Sequence, residues 1–350
     1  MAEFGDFTFV VQGPLTPGED PRSKAQELRD VFPGCAVVLA SFEPSSGFEP
    51  NRPPPQRSAM QAKAYLLELL APAFDAVALI EQPAALPQLK IDSGQNNINR
   101  QIASTAAGLA KVKTRYAVKL RSDALLVSPA LLQRFLEFSV AGDRPLAVGQ
   151  GRILIPSFFT LNPRIDERML YHLSDWVQVG FTEDLRTYWS APPFRLDDAV
   201  HYLTHDYAAG STGSERRFLA RYAVEQWLAI HYARRVMEVR LDFHNDWSPE
   251  RLARFEDFMV DNFVVFRPEN IGLVLPKYAH VSRSVSAELK CYNHNDWAAL
   301  ARKRGVNSPY RDRERAVASH ALQHAYMALR PLIRRIPGAV GLMRMGGREL

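Results

Sequence analysis

Short, almost continuously apolar runs alternate with amphipathic segments through the first part of the chain. The runs lie at 7–14, 35–41 and 74–80, and apolar residues recur at helical spacing within 23–31 and 60–70. Strands that are apolar on both faces are typical of a parallel sheet covered by helices on both sides. The alternation therefore predicts an α/β fold in which ligands bind at the carboxyl ends of the strands. Later strands are predicted at 146–149, 152–155 and 261–266, and the longest later helix at 214–235.

Polar or small residues follow the first two predicted strands at this edge. Gln12 and Gly13 end the first strand, and Ser41 ends the second. We expect these three residues to contribute to a ligand site, because the carboxyl ends of parallel strands lie side by side. The alternative interpretation is that each is a loop residue that satisfies only local backbone groups.

An asparagine-rich helix is predicted at 96–105, followed by a strand at 116–121 and then by Asp123. The asparagines are poor interior helix residues, so they are better explained as caps or as groups that bind something outside the helix. Lys119 and Arg121 share one face of the strand. A carboxylate beside two cations is what a metal–diphosphate site needs, because the carboxylate binds a divalent ion and the cations face the phosphates. The alternative is that Asp123 only neutralises Lys119 or Arg121.

The segments NNINRQIAST (96–105) and YAVKLRSD (116–123) resemble the WavE-type lipopolysaccharide-synthesis proteins, which are regarded as GT-A glycosyltransferases. The shorter segments FVVQGPL, FPGCAVVLASFE, LSDWVQVGFTEDL and VEQWL resemble the same family in the same order. The resemblance spans about residues 7 to 277. It implies a nucleotide-sugar donor, a role in the assembly of bacterial surface polysaccharide, and a metal-binding aspartate, which is Asp123 here.

The resemblance also sharpens the expected architecture. It implies a GT-A-like fold on a Rossmann-type mixed sheet flanked by helices, over residues 6–290. Residues 291–350 are predicted to form a basic helical C-terminal extension. The implied cofactor is Mg²⁺ or Mn²⁺ on Asp123. The predicted donor-binding residues are Gln12, Gly13, Ser41, Asn97, Arg100, Lys119 and Arg121.

Two carboxylates are candidates for the base that deprotonates the acceptor. Glu225 would lie among aromatic residues on the helix predicted at 214–235, and burial there would raise its pKa towards neutral pH. In inverting GT-A enzymes the base commonly sits on a helix after the metal-binding strand, and VEQWL resembles that arrangement. The alternative is that Glu225 pairs with Arg221 on the same helix or with another cation. Asp175, beside Trp176, is the second candidate and would contact an acceptor sugar or merely anchor a turn.

The positive charge of the chain is concentrated in its last fifty residues. The net charge is +5, but residues 301–350 carry 11 Lys and Arg against 3 Asp and Glu, which is +8, so 5 − 8 leaves −3 for the remainder. Apolar residues mixed with arginines at 319–335 are typical of a segment that contacts an anionic membrane surface. The alternative is a helix packed on the domain. No basic motif interleaved with aromatic residues is present, so nucleic acid is not an expected partner.

The compartment follows from what the sequence lacks. Cys35 and Cys291 are the two cysteines and stand far apart, which suits a reducing environment. The first residues do not form a signal peptide, and no apolar run of membrane-spanning length occurs. We therefore expect a cytoplasmic protein, with peripheral contact at the inner face of the bacterial inner membrane.

The predicted activity is metal-assisted glycosyl transfer, of EC class 2.4, from a nucleotide-diphosphate sugar to a lipopolysaccharide or capsular saccharide, and one alternative is a protein without activity. That alternative is a catalytically silent GT-A relative that binds saccharide or serves as an assembly factor. A single aspartate in RSD, where a fuller D-x-D would be expected, keeps it open. A lipid-linked acceptor would explain membrane contact. The absence of a G-x-x-x-x-G-K-[ST] motif argues against a P-loop phosphotransferase.

Overall fold

The computed structural model describes residues 3–15, 20–43, 59–164, 168–279 and 290–310, together with Ala325. The strands are β1 (Phe7–Gln12), β2 (Ala36–Phe42), β3 (Ala76–Ile80), β4 (Tyr116–Arg121), β5 (Leu125–Leu126), β6 (Ile153–Pro156), β7 (Val177–Phe181), β8 (Phe263–Phe266) and β9 (Leu273–Val274). The helices are α1 (Pro21–Val31), α2 (Ala59–Leu70), α3 (Ile98–Leu109), α4 (Ala130–Phe138), α5 (Thr182–Tyr188), α6 (Leu196–Ala199), α7 (Val224–Ala233), α8 (Pro249–Asn262) and α9 (His294–Ala301).

Seven strands form the central sheet in the order β3-β2-β1-β4-β7-β6-β8. Strands β3, β2, β1 and β4 are parallel, whereas β7 runs antiparallel to both β4 and β6, and β6 is parallel to β8. The predicted fold class, a GT-A-like α/β fold on a Rossmann-type mixed sheet flanked by helices, is confirmed. The sheet is covered on both faces, as the continuous burial of β1 and β7 requires.

The asparagine-rich helix lies directly on the first three strands. Its apolar stripe, which includes Ile98, Ile102 and Leu109, is buried in the main core. Gly108 allows this close approach, because a Cβ atom there would stand 2.5 Å from a methyl carbon of Val10 and 2.7 Å from the Cβ atom of Ala40. The start of α3 is thereby held at the carboxyl edge of the sheet.

Two predicted elements are wrong. Residues 146–149 form no strand, because side chains satisfy their backbone: Leu146 N–H donates to Asp261 Oδ2 at 2.9 Å, and Val148 N–H donates to Asn262 Oδ1 at 2.7 Å. The helix predicted at 214–235 begins only at Val224. The residues before it turn towards the 82–97 segment, where Leu219 N–H donates to the carbonyl of Leu89 at 2.9 Å.

The residues after 290 continue into the main core over the part that the structure describes. Tyr292, Trp297 and Val306 belong to the central apolar cluster, and Trp297 Nε1–H donates to the carbonyl of Phe263 at 2.7 Å. The domain boundary at 290/291 stays a prediction. The predicted basic helical extension falls largely on 311–324 and 326–350, outside the described residues. Within the described residues, no helix combines the length and apolar character needed to cross a membrane.

Candidate active site

The ends of three parallel strands are joined by backbone hydrogen bonds at the carboxyl edge of the sheet. Gly13 N–H donates to Ala40 O at 3.2 Å, and Ser122 N–H donates to Gln12 O at 2.9 Å. Gly13 has φ +156°, and a Cβ atom there would stand 2.1 Å from Ser122 Oγ. A glycine at this position therefore lets the turn before Asp123 sit against the end of β1.

Asp123 lies on this turn and remains accessible. Arg121 binds its carboxylate with two hydrogen bonds, Nε–Oδ1 at 3.0 Å and Nη2–Oδ2 at 2.9 Å. The Asp123 side chain is nevertheless 39% exposed. The Arg121 guanidinium also stacks over Trp176 at 3.7 Å from the ring centroid, so it is fixed between the carboxylate and the indole. Pairing with Arg121 and access for a ligand coexist at Asp123.

A cavity of about 500 Å³ opens beside Asp123. It lies between the end of β1, the first turns of α1 and the 276–277 turn, and Ser122 and Asp123 form part of its wall. Lys24 and Lys277 place two cations on its lining. The Lys24 ammonium group donates to Ala124 O at 3.0 Å, which holds it near the Asp123 turn. The cavity therefore combines three partly exposed carboxylates, those of Asp20, Glu27 and Asp123, with the two lysines, and Lys24 Nζ lies 3.3 Å from Glu27 Oε2.

Lys119 and Asp175 form a buried pair beneath this edge. The Lys119 side chain is 0% exposed; its ammonium group donates to the Asp175 carbonyl and lies 3.8 Å from Asp175 Oδ2. The Trp189 ring lies 4.8 Å away on another side of the ammonium group. Burial lowers the pKa of Lys119 to about 8, and the charge of Asp175 opposes that fall. Lys119 therefore holds the segment that leads into β7, and it does not line the cavity.

Glu225 is the second residue of α7 and reaches the same group of charges. Its side chain is 15% exposed, and Oε2 lies 3.4 Å from Nε2 of His172. Burial raises the pKa of Glu225; His172 opposes the rise, and the charge of Asp175 adds to it. The predicted pairing with Arg221 is not found, because Arg221 donates instead to the carbonyl groups of Leu241 and Asp242. Sequence reasoning gave no sign of His172, which lies far from Glu225 in the chain and in no motif.

The remaining predicted donor-binding residues lie around this group. The Gln12 amide donates to Ser104 Oγ on α3 at 3.0 Å. Ser41 is buried, and its hydroxyl has no hydrogen-bond partner within the described part of the chain. At the start of α3, Arg100 Nη1 donates to Asn97 Oδ1 at 3.0 Å, which makes a separate pair. The charged residues on β4, before β7 and on α7 therefore lie together. The other candidate residues lie at neighbouring strand or helix ends.

Among the described residues, no group of three or more His, Cys, Asp and Glu side chains could hold a metal ion. Asp123 is the cavity carboxylate that follows β4, whereas Asp20 and Glu27, which also line the cavity, pair with Arg22 and Lys24. A divalent ion such as Mg²⁺ takes one or two carboxylates together with substrate phosphates in many phosphate-processing sites. One carboxylate therefore fits such an ion where a diphosphate supplies the other oxygen ligands.

Comparison with solved structures finds distant likenesses. TarS from S. aureus is 12% identical over 73% of this chain, which spans 39% of TarS, with a TM-score of 0.34. The mannosyltransferase PcManGT from Pyrobaculum calidifontis, in complex with GDP-Man and Mn²⁺, is 13% identical over 97% of this chain and 79% of its own, with a TM-score of 0.31. HddC from Yersinia pseudotuberculosis, complexed with GMP-PN, is 10% identical over 51% and 78%, with a TM-score of 0.27. These scores are too low to support an inference about substrate or mechanism.

A comparison with curated proteins gives no match to this chain. A family model described as WavE lipopolysaccharide synthesis matches residues 73–330, which is more than half of the chain. The matched region contains both of the asparagine-rich and β4 segments that carried the resemblance, as well as Asp175 and Glu225. The chain therefore belongs to the WavE lipopolysaccharide synthesis family.

Proposed function

We propose that this protein is a glycosyltransferase, of EC class 2.4, that transfers a sugar from a nucleotide-diphosphate sugar to a lipopolysaccharide or capsular saccharide. The observation that carries the proposal is the arrangement at one edge of the sheet. Asp123, an accessible carboxylate, borders a cavity that two lysines also line. Glu225, a half-buried carboxylate, lies close enough to Arg121 and Asp175 for their charges to act on its pKa. Asp123 would serve the donor and Glu225 the acceptor.

The cavity beside Asp123 suits the donor. Lys24 and Lys277 line it and would neutralise phosphate charge, while the backbone of Gly13 allows a close approach at the end of β1. Asp123 would hold Mg²⁺ or Mn²⁺ together with the diphosphate oxygens. When bound, the ion would supply Lewis-acid stabilisation of the departing diphosphate. Arg121 would hold the Asp123 carboxylate in place through its two hydrogen bonds.

Glu225 suits the role of base better than Asp175. The Glu225 carboxylate is partly exposed, and burial raises its pKa towards the range in which a base works at neutral pH. Asp175 is 3% exposed and faces the ammonium group of Lys119. In an inverting transfer, Glu225 would take the proton of the acceptor hydroxyl as its oxygen bonds to the anomeric carbon. The bond from that carbon to the diphosphate would break, and its electron pair would leave with the diphosphate.

The second candidate function is a silent relative that binds saccharide or partner enzymes. The single aspartate in RSD, where a fuller D-x-D would be expected, favours it. Such a protein would bind a nucleotide sugar or a saccharide without turning it over.

A panel of UDP-, GDP-, dTDP- and ADP-sugars, assayed with and without Mn²⁺, separates the two functions. We expect nucleotide diphosphate to be released from one donor, with release suppressed by a chelator and restored by added metal. Binding of a donor in the same panel, measured by calorimetry, with no release under any condition and no transfer to a lipid-linked saccharide extract, would support the silent relative and refute the transferase.

We also propose that the acceptor is lipid-linked and that the protein meets it at the inner face of the inner membrane. The basic, apolar composition of 319–335 supports this proposal. The contact would bring the acceptor to a site whose base and cavity lie at one edge of the sheet.

A further inference from the structure

The His172 ring contacts Glu225, the proposed base, through one nitrogen and a backbone carbonyl through the other. Its Nε2 atom lies 3.4 Å from Glu225 Oε2, and its side chain is 7% exposed. Its Nδ1 atom lies 2.9 Å from the backbone carbonyl oxygen of Phe159. A carbonyl oxygen only accepts hydrogen bonds, so Nδ1 carries the hydrogen of that bond. Nε2 is therefore the ring atom that faces the carboxylate.

The backbone around this ring adopts conformations that bulky residues rarely take. Phe159, which anchors the ring, has φ +67°, and Tyr171, which precedes the ring, has φ +63°. The two segments are joined to each other, because Leu161 N–H donates to the carbonyl of His172 at 3.0 Å. Such conformations persist where the surrounding structure over-determines them, and they cluster at functional sites. The position of the His172 ring is thus fixed from two segments at once.

Among the groups that act on the pKa of Glu225, His172 opposes the effect of burial most strongly. Burial raises the pKa of Glu225, and the positive charge of His172 is the largest influence that lowers it. Asp175 raises the pKa of Glu225, as burial does, whereas Arg121 lowers it, as His172 does. The titratable and charged groups that act on Glu225, or on which it acts, are His172, Asp175, Arg121, Lys119 and Tyr188.

We propose that His172 is a positioning residue for Glu225: its ring, held by Phe159, fixes the orientation of the carboxylate. The inference rests on the proposed role of Glu225 as the base. His172 makes and breaks no bond to the sugar. It keeps the carboxylate oriented until the proton of the acceptor hydroxyl is transferred to Glu225.

Two variants separate the two contacts of the ring. In His172→Asn, the side-chain amide nitrogen takes the place of Nδ1, so the bond to Phe159 is kept and the contact with Glu225 is lost. In His172→Gln, the amide nitrogen takes the place of Nε2, so the contact with Glu225 is kept without a charge. His231→Gln is the matched control, since His231 lies on α7 against Trp227.

The first measurement needs no substrate. The full chain is labelled with ¹³C at the glutamate carboxyl carbons, and the Glu225 signal is identified by its loss in Glu225→Gln. We expect the titration midpoint of Glu225 to rise by about one pH unit or more in His172→Asn, because the contact that favours the ionised carboxylate is gone. The rise should be smaller in His172→Gln and absent in His231→Gln. An unchanged midpoint in His172→Asn overturns the proposal; if that variant does not fold, an unchanged midpoint in His172→Gln does so.

The second measurement is the pH profile of kcat/KM with the nucleotide sugar that the wild-type protein turns over. Its acidic limb should move to higher pH with the Glu225 midpoint, and below that limb the rate falls about tenfold for each pH unit of the move. KM for the donor should not change. If the midpoint rises but Glu225→Gln turns over donor at the wild-type rate, the pairing with His172 holds and the proposed base is wrong. If His172→Asn keeps the wild-type profile, His172 has only a structural role.

Discussion

Glu225→Gln and Asp175→Asn should give opposite results, although each removes one carboxylate charge from the same group. Glu225 is partly exposed at the start of α7, whereas Asp175 is buried against Lys119. The first substitution should therefore remove activity and keep stability, and the second should remove stability.

For Glu225→Gln, the expected loss in rate is on the order of 10²–10⁴, or about 3–5 kcal/mol in the activation free energy. The stability follows from linkage. The folded pKa of Glu225 is raised, so between its ordinary pKa and that raised value the folded state binds more protons than the unfolded state. Stability falls as the pH rises through this window, and above it the ionised carboxylate keeps that cost. Glutamine removes the cost, so this variant should be at least as stable as wild type at neutral pH.

For Asp175→Asn, we expect a loss in the free energy of unfolding. Removing one partner of a buried ion pair costs about 3–5 kcal/mol. Two features place this variant at the lower end, near about 3 kcal/mol. The separation of 3.8 Å between Lys119 Nζ and Asp175 Oδ2 is long for an ion pair, and Lys119 keeps its hydrogen bond to the Asp175 carbonyl. With a pKa already near 8, Lys119 can also lose its proton.

Urea unfolding followed by circular dichroism gives the stability of both variants, and release of nucleotide diphosphate from the active donor gives the rate. Wild-type turnover by Glu225→Gln would refute the assignment of the base. A folded, fully stable Asp175→Asn variant that has lost its rate would exchange the two roles and show that the Lys119 pair matters little for stability.

Three further predictions concern the donor cavity and the tail. Asp123→Ala should abolish metal-dependent donor turnover and leave the unfolding curve unchanged, because this side chain is 39% exposed; undiminished turnover in chelator would contradict it. Gly13→Ala should weaken donor binding measured by calorimetry, since its Cβ atom would stand 2.1 Å from Ser122 Oγ; Gly94→Ala, with no atom within 4 Å of its new Cβ, is the control and should bind donor normally. Full-length protein should co-sediment with anionic vesicles, whereas protein truncated at Arg315 should not, and equal sedimentation of the two would refute membrane contact through the tail.

The parallel half of the sheet could be predicted because its strands are apolar on both faces. Each of β1 to β4 lies within or close to a run that the hydrophobic pattern picks out, and Asp123 follows the last of them. The position of Arg121 and Asp123 at this edge was predictable for the same reason, since parallel strands present their carboxyl ends together, whereas Asp175 precedes the antiparallel β7 and Glu225 lies on α7. Local pattern is sufficient where burial alone decides the structure.

The errors come from contacts between distant segments. Residues 146–149 have the apolar character of a strand, but Asp261 and Asn262 bind their backbone N–H groups in place of a neighbouring strand. The contact of His172 with Glu225 joins residues on separate elements, and neither residue carries a periodic signal for the other. Hydrophobic periodicity indicates which face of an element is buried. It does not indicate which side chains will bind the backbone of a distant segment.

The antiparallel strand β7 has a consequence for the order in which the chain can fold. Strands β1 to β4 are complete once the chain reaches Arg121, but β7 must enter between β4 and β6, and β6 pairs on its other side with β8, which ends at Phe266. Pairings between such distant segments form slowly, because the intervening loop must close first. On the ribosome, the parallel half-sheet that carries Asp123 can form early, whereas Glu225 and the 276–277 turn of the donor cavity reach their places only after most of the chain has emerged. Mutations that slow the docking of β7 should therefore reduce the yield of active protein more than the stability of the molecules that finish folding.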